Sequence, residues 1–67
     1  MLARLGKNIQ VERKRAGITQ EQLAERTDLH TRAVQKIEAG EINVATMTLI
    51  RIQAAIGAPW DRILPTR

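Results

Sequence analysis

The sequence has no cysteine, a single histidine and no long apolar run, and these absences exclude several kinds of site. Without cysteine the chain has no disulfide and no thiolate metal ligand, and one histidine alone gives no reason to expect a metal. No apolar segment approaches the roughly 20 residues of a membrane-spanning helix. Residues 1–7 also lack the apolar stretch of a signal peptide. We therefore predict a soluble, cytoplasmic protein that binds no metal or cofactor and does not enter a membrane.

The length of the chain limits what it can hold. Its 67 residues allow one domain, residues 1–67, with a small core and no room for both a binding cavity and catalytic machinery. No pair of carboxylates has a spacing that would build a catalytic site, so we expect no enzymatic activity. No linker or repeat interrupts the chain. Because neither disulfides nor thiolate metal ligands contribute, the fold must depend on helix packing and helix caps.

The most informative pattern runs from Thr19 to Gly40 and predicts two short helices around a tight turn. Thr19 followed by Gln22 forms a capping box, in which each side chain satisfies a backbone N–H that a helix start leaves free. A helix therefore starts at Thr19. Leu23 and Ala24 give it one apolar patch, so that it can pack on one side only.

The second helix of this pattern has two different faces. Val34 and Ile37 share an apolar face, which directs the polar residues of the helix toward solvent or a partner. These polar residues are Thr31, Arg32, Gln35 and Lys36. Two short helices arranged in this way are the layout of a helix-turn-helix DNA reader.

The whole chain is predicted to be all-α, with five helices. The first helix spans Leu2 to Arg15, with Gly17 as a left-handed cap. The fourth spans roughly Ala45 to Ala55 and is closed by Gly57, and Pro59 fits the first turn of a short last helix. The apolar residues of this last helix, which we expect to close the core around the fourth helix, are Trp60, Ile63 and Leu64.

The net charge of +4 is unevenly distributed along the chain. Residues 1–36 hold eight Lys or Arg against four acidic residues, whereas residues 37–67 hold three of each. Any one of these charges alone is most simply a solvated helix face. Together with the helix-turn-helix pattern, the excess in the first half favours a polyanion as partner.

With these features the chain resembles the Cro and phage-repressor family of helix-turn-helix regulators, also called the XRE family. The resemblance extends, in order and at family spacing, through IQVERKRAGITQEQLAERT, AVQKIEAGEINV and LIRIQAAIGAPWDRIL. It implies a compact five-helix domain that binds double-stranded DNA. In such proteins the helix after the turn enters the major groove, which implies that Thr31, Arg32 and Lys36 face base edges, with Gln35 at the margin.

The donors of Arg32 and Lys36 match the O6 and N7 acceptors of guanine, so these two residues are the expected carriers of sequence preference. Two neighbours stay ambiguous. Thr31 fits a contact to a base or a phosphate, or support of the helix start. Ala33 fits a contact to a thymine methyl group or packing on the preceding helix.

The resemblance also implies contacts to the DNA backbone. Gln20 lies in the first turn of its helix, where free N–H groups and the helix dipole suit a phosphate, and Asn43 adds a second contact from the loop after the third helix. His30 occupies a capping position where Ser is commoner, and we interpret it as structural or phosphate-facing. The alternative for Gln20 is a solvent-exposed residue with no contact.

Arg13 and Glu38 match positions that form a partly buried ion pair in the phage repressors that this chain resembles. Such a pair would fix the third helix against the first, since the planar fork of arginine holds a carboxylate with two hydrogen bonds. The alternative is that both charges are solvated.

Some residues depart from the family pattern. Asp28 stands where the turn often has Gly, and a left-handed backbone there costs an ordinary residue roughly 1 to 2 kcal/mol, although Asp tolerates it better. Glu12 replaces a commonly apolar residue and Gln53 a commonly small one, so the core is harder to assign near both.

Three further departures are apolar residues at positions that are usually polar, namely Ile42, Met47 and Ile50. An apolar surface patch in so small a domain suggests a partner, and we expect a two-fold homodimer that places two recognition helices about 34 Å apart. The alternative is that these side chains fill the core of a monomer.

The sequence therefore predicts a transcription regulator, a repressor or a controller protein, that binds a pseudo-palindromic operator as a homodimer. The alternative is an antitoxin or adaptor whose main partner is another protein, such as a toxin.

Overall fold

The computed structural model describes residues 1–65 and shows five helices and no strand in that range. The helices are α1 (Leu2–Arg15), α2 (Gln20–Thr27), α3 (Thr31–Glu38), α4 (Thr46–Ile56) and α5 (Trp60–Ile63). The predicted all-α, five-helix class is confirmed, and the predicted bounds agree to within one residue. Residues 66 and 67, the last two of the predicted domain, lie outside the described residues.

The predicted helix caps are present. The Gln22 amide N–H donates to Thr19 Oγ1 at 3.0 Å and the Thr19 amide N–H donates to Gln22 Oε1 at 2.8 Å, which completes the capping box at the start of α2. Gly17 after α1 and Gly57 after α4 both have positive φ angles. The boundaries were predictable because each depends on residues that are close in sequence.

The turn between α2 and α3 depends on Asp28, which has φ 59° and ψ 36°. It is the one residue other than glycine with a positive φ in the described part of the chain. The amide N–H groups of Asp28 and Leu29 both donate to the Ala24 carbonyl, which closes the turn. The expected left-handed conformation is thus confirmed, at a residue type that adopts it more readily than most.

The core lies where the five helices meet. Each helix supplies one fully buried aliphatic side chain, and these are Ile9, Leu23, Val34, Ile52 and Ile63. Burial of such a side chain contributes about 1.5 to 3 kcal/mol to folding. Every helix thus contributes to one core, so each is held by apolar packing against its neighbours.

The expectation for α5 is wrong in two respects. Trp60 and Leu64 are 37% and 40% exposed, and only Ile63 is fully buried. In addition, α5 packs mainly on α1 rather than on α4, where Asn8 Nδ2 donates to the Ile63 carbonyl at 3.1 Å. For Leu64 the physical reason is that α5 ends at Ile63: Leu64 has extended backbone angles, φ −76° and ψ 135°, and so leaves the helical face that Ile63 occupies.

Glu12 and Gln53, near which the sequence left the core hard to assign, make polar contacts to α5 and to the loop before it. Glu12 is buried, and its Oε1 lies 3.5 Å from Arg15 Nε and 3.7 Å from Arg62 Nη1. Gln53 Nε2 donates to the Ala58 carbonyl at 2.8 Å. Both therefore hold the last segment of the chain in place.

A glycine allows α1 and α3 to approach each other closely, a contact that no local sequence pattern indicates. A Cβ atom on Gly6 would lie 2.6 Å from the Glu38 carbonyl oxygen and still closer to that of Ile37. Any side chain at this position would push the end of α3 away from α1.

The Arg13–Glu38 ion pair also joins α1 to the end of α3. Arg13 Nε lies 2.7 Å from Glu38 Oε2, and Arg13 Nη2 donates to Glu38 Oε1 at 3.1 Å, with both side chains buried. Arg13 Nη1 also donates to the Ile18 carbonyl at 2.9 Å, and Gln20 Nε2 donates to Glu38 Oε1 at 3.0 Å. One carboxylate therefore connects α1, the start of α2 and the end of α3.

We predict that Glu38→Ala destabilises the fold far more than Glu41→Ala, as measured by urea denaturation. Loss of the carboxylate leaves the buried Arg13 charge unpaired, which costs about 3 to 5 kcal/mol, whereas exposed Glu41 should change the free energy of unfolding by about 0.5 kcal/mol or less. Where Glu38→Ala does not fold, Glu38→Gln retains the shape and allows the comparison. Equal unfolding midpoints for the Glu38 and Glu41 variants would contradict the prediction.

Candidate nucleic-acid interface

Helix α3 separates its side chains into a buried face and an open face. Val34 and Ile37 are buried in the core. On the other side, Arg32 and Gln35 are exposed, and Thr31 and Lys36 are half-buried. We call these four residues the reading surface: Thr31, Arg32, Gln35 and Lys36. The structure thus brings the four predicted base-reading residues together on one helix, and half-buried Ala33 leaves both of its predicted roles open.

The hydrogen-bonding groups of the reading surface are uncommitted. Within residues 1–65 none of its four side chains takes part in a hydrogen bond or an ion pair. The guanidinium of Arg32 presents five N–H donors and the ammonium of Lys36 three, while Gln35 and Thr31 both donate and accept. Such a surface suits a ligand with many acceptors.

Three of these residues line a shallow, open depression together with residues that follow α3. The depression is bounded by Arg32, Gln35, Lys36, Ala39 and Glu41. Glu41 was not assigned to the site from the sequence. No local pattern signals its position, because the left-handed Gly40 turns the chain back toward α3.

Gln20 lies in the first turn of α2, as expected, but its side chain is not free. Its amide nitrogen donates to the buried carboxylate of Glu38, which leaves one of its two N–H donors for another partner. The alternative of a solvent-exposed side chain without contacts does not fit this geometry.

The two remaining predicted phosphate contacts lie near the ends of α3. His30 is the N-cap residue of α3, with an exposed side chain that makes no capping hydrogen bond, so it does not replace Ser as a cap. Asn43 is exposed in the loop between α3 and α4. Both side chains are accessible to a ligand that spans α3.

A set of apolar side chains is exposed on the loop after α3 and on α4. The exposed fractions are 37% for Ile42, 62% for Met47 and 44% for Ile50. We call these three residues the apolar patch. None of the three belongs to the buried core cluster of the described residues or to the partly buried side chains packed against it.

The described residues hold neither a cluster of metal-ligating side chains nor a membrane-spanning helix. Among residues 1–65 no three His, Asp or Glu side chains come together as metal ligands would. No helix within that range is both long and apolar enough to cross a membrane.

Comparison with known proteins agrees with this geometry. No curated protein matches the sequence. Among solved structures, the restriction-modification controller protein C.AhdI from Aeromonas hydrophila is similar, with a TM-score of 0.88 and 24% identity over 94% of this chain and 91% of that chain. At that identity the likeness shows a shared fold.

The family is shown by a second comparison. A family model described as "Helix-turn-helix" matches residues 9–63, which include all five helices in whole or in part. The matched stretch contains the capping box, the left-handed turn and the reading surface already described. The chain therefore belongs to the XRE-type helix-turn-helix family of DNA-binding transcriptional regulators.

Proposed function

We propose that this protein is a sequence-specific transcriptional regulator, a repressor or controller protein, that binds a pseudo-palindromic operator as a homodimer. The observation that carries the proposal is the division of α3, with Val34 and Ile37 in the core and the free donors of the reading surface on the open side. A helix presented in this way fits the major groove of DNA.

The residues of the reading surface divide into two chemical groups. Arg32 engages both O6 and N7 of a guanine, and Lys36 donates to the same acceptors as a point charge. Thr31 and Gln35 are the uncharged group, and their side chains add hydrogen bonds from the same helix as donors or acceptors. This combination favours operators with guanines in each half-site.

Contacts to phosphates hold the protein in register but carry no sequence information. Gln20 donates its second amide N–H to a phosphate at the start of α2, while Glu38 holds the first. His30 and Asn43 contact the backbone from the two ends of α3. The three residues thus border the reading surface along the chain.

The apolar patch is the proposed dimer interface. Pairing through Ile42, Met47 and Ile50 removes exposed apolar surface from water. A two-fold axis there allows two copies of α3 to enter successive major grooves, about 34 Å apart. The fold shared with the restriction-modification controller protein C.AhdI supports a regulator of this kind.

The apolar patch also favours a second candidate function. An antitoxin or adaptor would cover the same three side chains with a different protein, such as a toxin, and use DNA as a secondary partner. The two functions differ in whether the isolated protein binds DNA with a sequence preference.

The experiment that tests the proposal is selection from a randomised duplex pool, followed by fluorescence-anisotropy titration of the selected duplex at two salt concentrations. We expect a palindromic selected sequence and a log–log salt slope of about −0.9 for each phosphate contacted. Binding that is absent or without sequence preference contradicts the proposal and favours the protein-partner function.

We further predict that Gln20→Ala and Arg32→Ala have different effects in that selection. Loss of the phosphate contact should weaken binding to all sequences about equally, whereas loss of the Arg32 donors should relax the preference at particular base pairs, by about 1 to 3 kcal/mol each. Because Gln20 also contacts Glu38, a urea melt of Gln20→Ala is needed to distinguish a loss of fold stability from the loss of the phosphate contact. Identical selection profiles for both variants contradict this division of roles.

We expect Ile50→Glu to stay folded and become monomeric, because a charge in the apolar patch cannot be buried against a second copy. Sedimentation equilibrium gives the mass and circular dichroism the helix content. Val11→Glu is a matched control on α1, since Val11 is 39% exposed and Ile50 44%. A folded, dimeric Ile50→Glu rules out the patch as the interface, and an unfolded variant indicates that Ile50 contributes to the core.

A further inference from the structure

The backbone holds Glu41 at the edge of the reading surface. The Glu41 amide N–H donates to the Lys36 carbonyl at 2.9 Å, and the Gly40 amide N–H donates to the Ile37 carbonyl at 3.1 Å. Gly40 has φ 74°, and a Cβ atom there would lie 2.6 Å from the Cα atom of Ala3. The turn is therefore packed against α1, which fixes the point from which the Glu41 side chain leaves the backbone.

The surroundings of Glu41 are basic. Its neighbours along the depression include Arg32 and Lys36, yet within residues 1–65 its exposed carboxylate forms no ion pair with either. A negative charge at a surface that meets phosphates weakens binding to any DNA sequence. Glu41 therefore does not serve affinity, and its position suits a contact that distinguishes one base from another.

We propose that Glu41 is a specificity-determining residue that accepts a hydrogen bond from the N4 amino group of a cytosine in the major groove. This inference rests on the proposed function, since it requires α3 to lie in that groove. It assigns a carboxylate acceptor to a surface whose other charged members only donate.

The choice of cytosine follows from the edges that the four bases present. An ionised carboxylate only accepts hydrogen bonds. Guanine and thymine present acceptors in the major groove, and adenine places its amino group next to the acceptor N7, whereas cytosine presents an amino donor alone. A carboxylate is thus repelled, wholly or in part, by every base except cytosine.

The same reasoning connects Glu41 to its neighbours. In a G·C pair the guanine O6 and N7 acceptors and the cytosine amino group lie on the same groove edge. From one surface, Arg32 or Lys36 would contact a guanine on one strand and Glu41 a cytosine on the other. The carboxylate of Glu41 and the cationic side chains of Arg32 and Lys36 therefore recognise complementary nucleobases.

Glu41→Gln tests the inference, because an amide of nearly the same shape both donates and accepts. Base preference is measured by selection from the randomised pool, then by anisotropy titration against the selected duplex and its single-base variants. We expect the wild type to select cytosine at one position of each half-site. In the variant the preference should move toward adenine, whose N6 and N7 suit an amide, with the cytosine-to-adenine ratio falling about tenfold. Affinity for unrelated DNA should rise about two- to fivefold, because a repulsive charge is removed.

Asp61→Asn is the matched control. It makes the same change of charge at an exposed residue of α5, a helix that packs on α1, and it should leave the base preference unaltered. Equal melting temperatures for Glu41→Gln and the wild type show that the fold is intact.

The outcomes separate this inference from the proposed function. A wild type that binds selectively, with a Glu41→Gln variant that keeps the same preference, overturns the role of Glu41 and leaves the proposed function intact. The same holds where both variants raise affinity equally without changing base preference, since the carboxylate then acts only through net charge. A wild type without any sequence preference overturns both.

Discussion

The structure depends on the buried ion pair between Arg13 and Glu38. Removing two charges from water is costly, and the attraction between them compensates only when the remaining hydrogen-bonding groups are also satisfied. Here Arg13 makes two contacts to the carboxylate and a third to the Ile18 carbonyl, and Gln20 donates to the same carboxylate. Because these groups come from α1, the start of α2, the end of α3 and the segment between α1 and α2, the pair sets the angle at which α3 presents its open face.

The ion pair and the glycine contact form one unit. Gly6 on α1 lets the carbonyl groups of Ile37 and Glu38 approach the helix, and Gly40 does the same for the turn beside Ala3. The end of α3 is therefore held to α1 by backbone contact at Ala3 and Gly6, and by charge at Arg13, about two turns further along α1. In a chain with so small a core, this close approach replaces apolar area that a larger domain would bury.

The parts of the fold that could be predicted are those with local causes. The capping box at Thr19 and the left-handed turn at Asp28 each involve residues within a few positions of one another, so the helix bounds follow from the sequence. The exposure of Trp60 and the need for glycine at Gly6 depend on helices that are distant in sequence. For the site, the helical period placed the reading surface on one face of α3. It could not place Glu41, because a turn at Gly40 and packing on Ala3 determine where that residue lies.

Glu38 links stability to recognition through Gln20. An unrestrained glutamine must lose side-chain freedom when it binds a phosphate, at a cost of about 0.5 to 1.5 kcal/mol. The hydrogen bond from Gln20 to Glu38 already fixes that side chain in the free protein, so its remaining N–H is oriented before any phosphate arrives. The same carboxylate is held by Arg13, whose position is fixed by α1 and by the Ile18 carbonyl. The proposed phosphate contact and the orientation of α3 therefore share one support, and a change in that support alters both the stability of the fold and its fit to DNA.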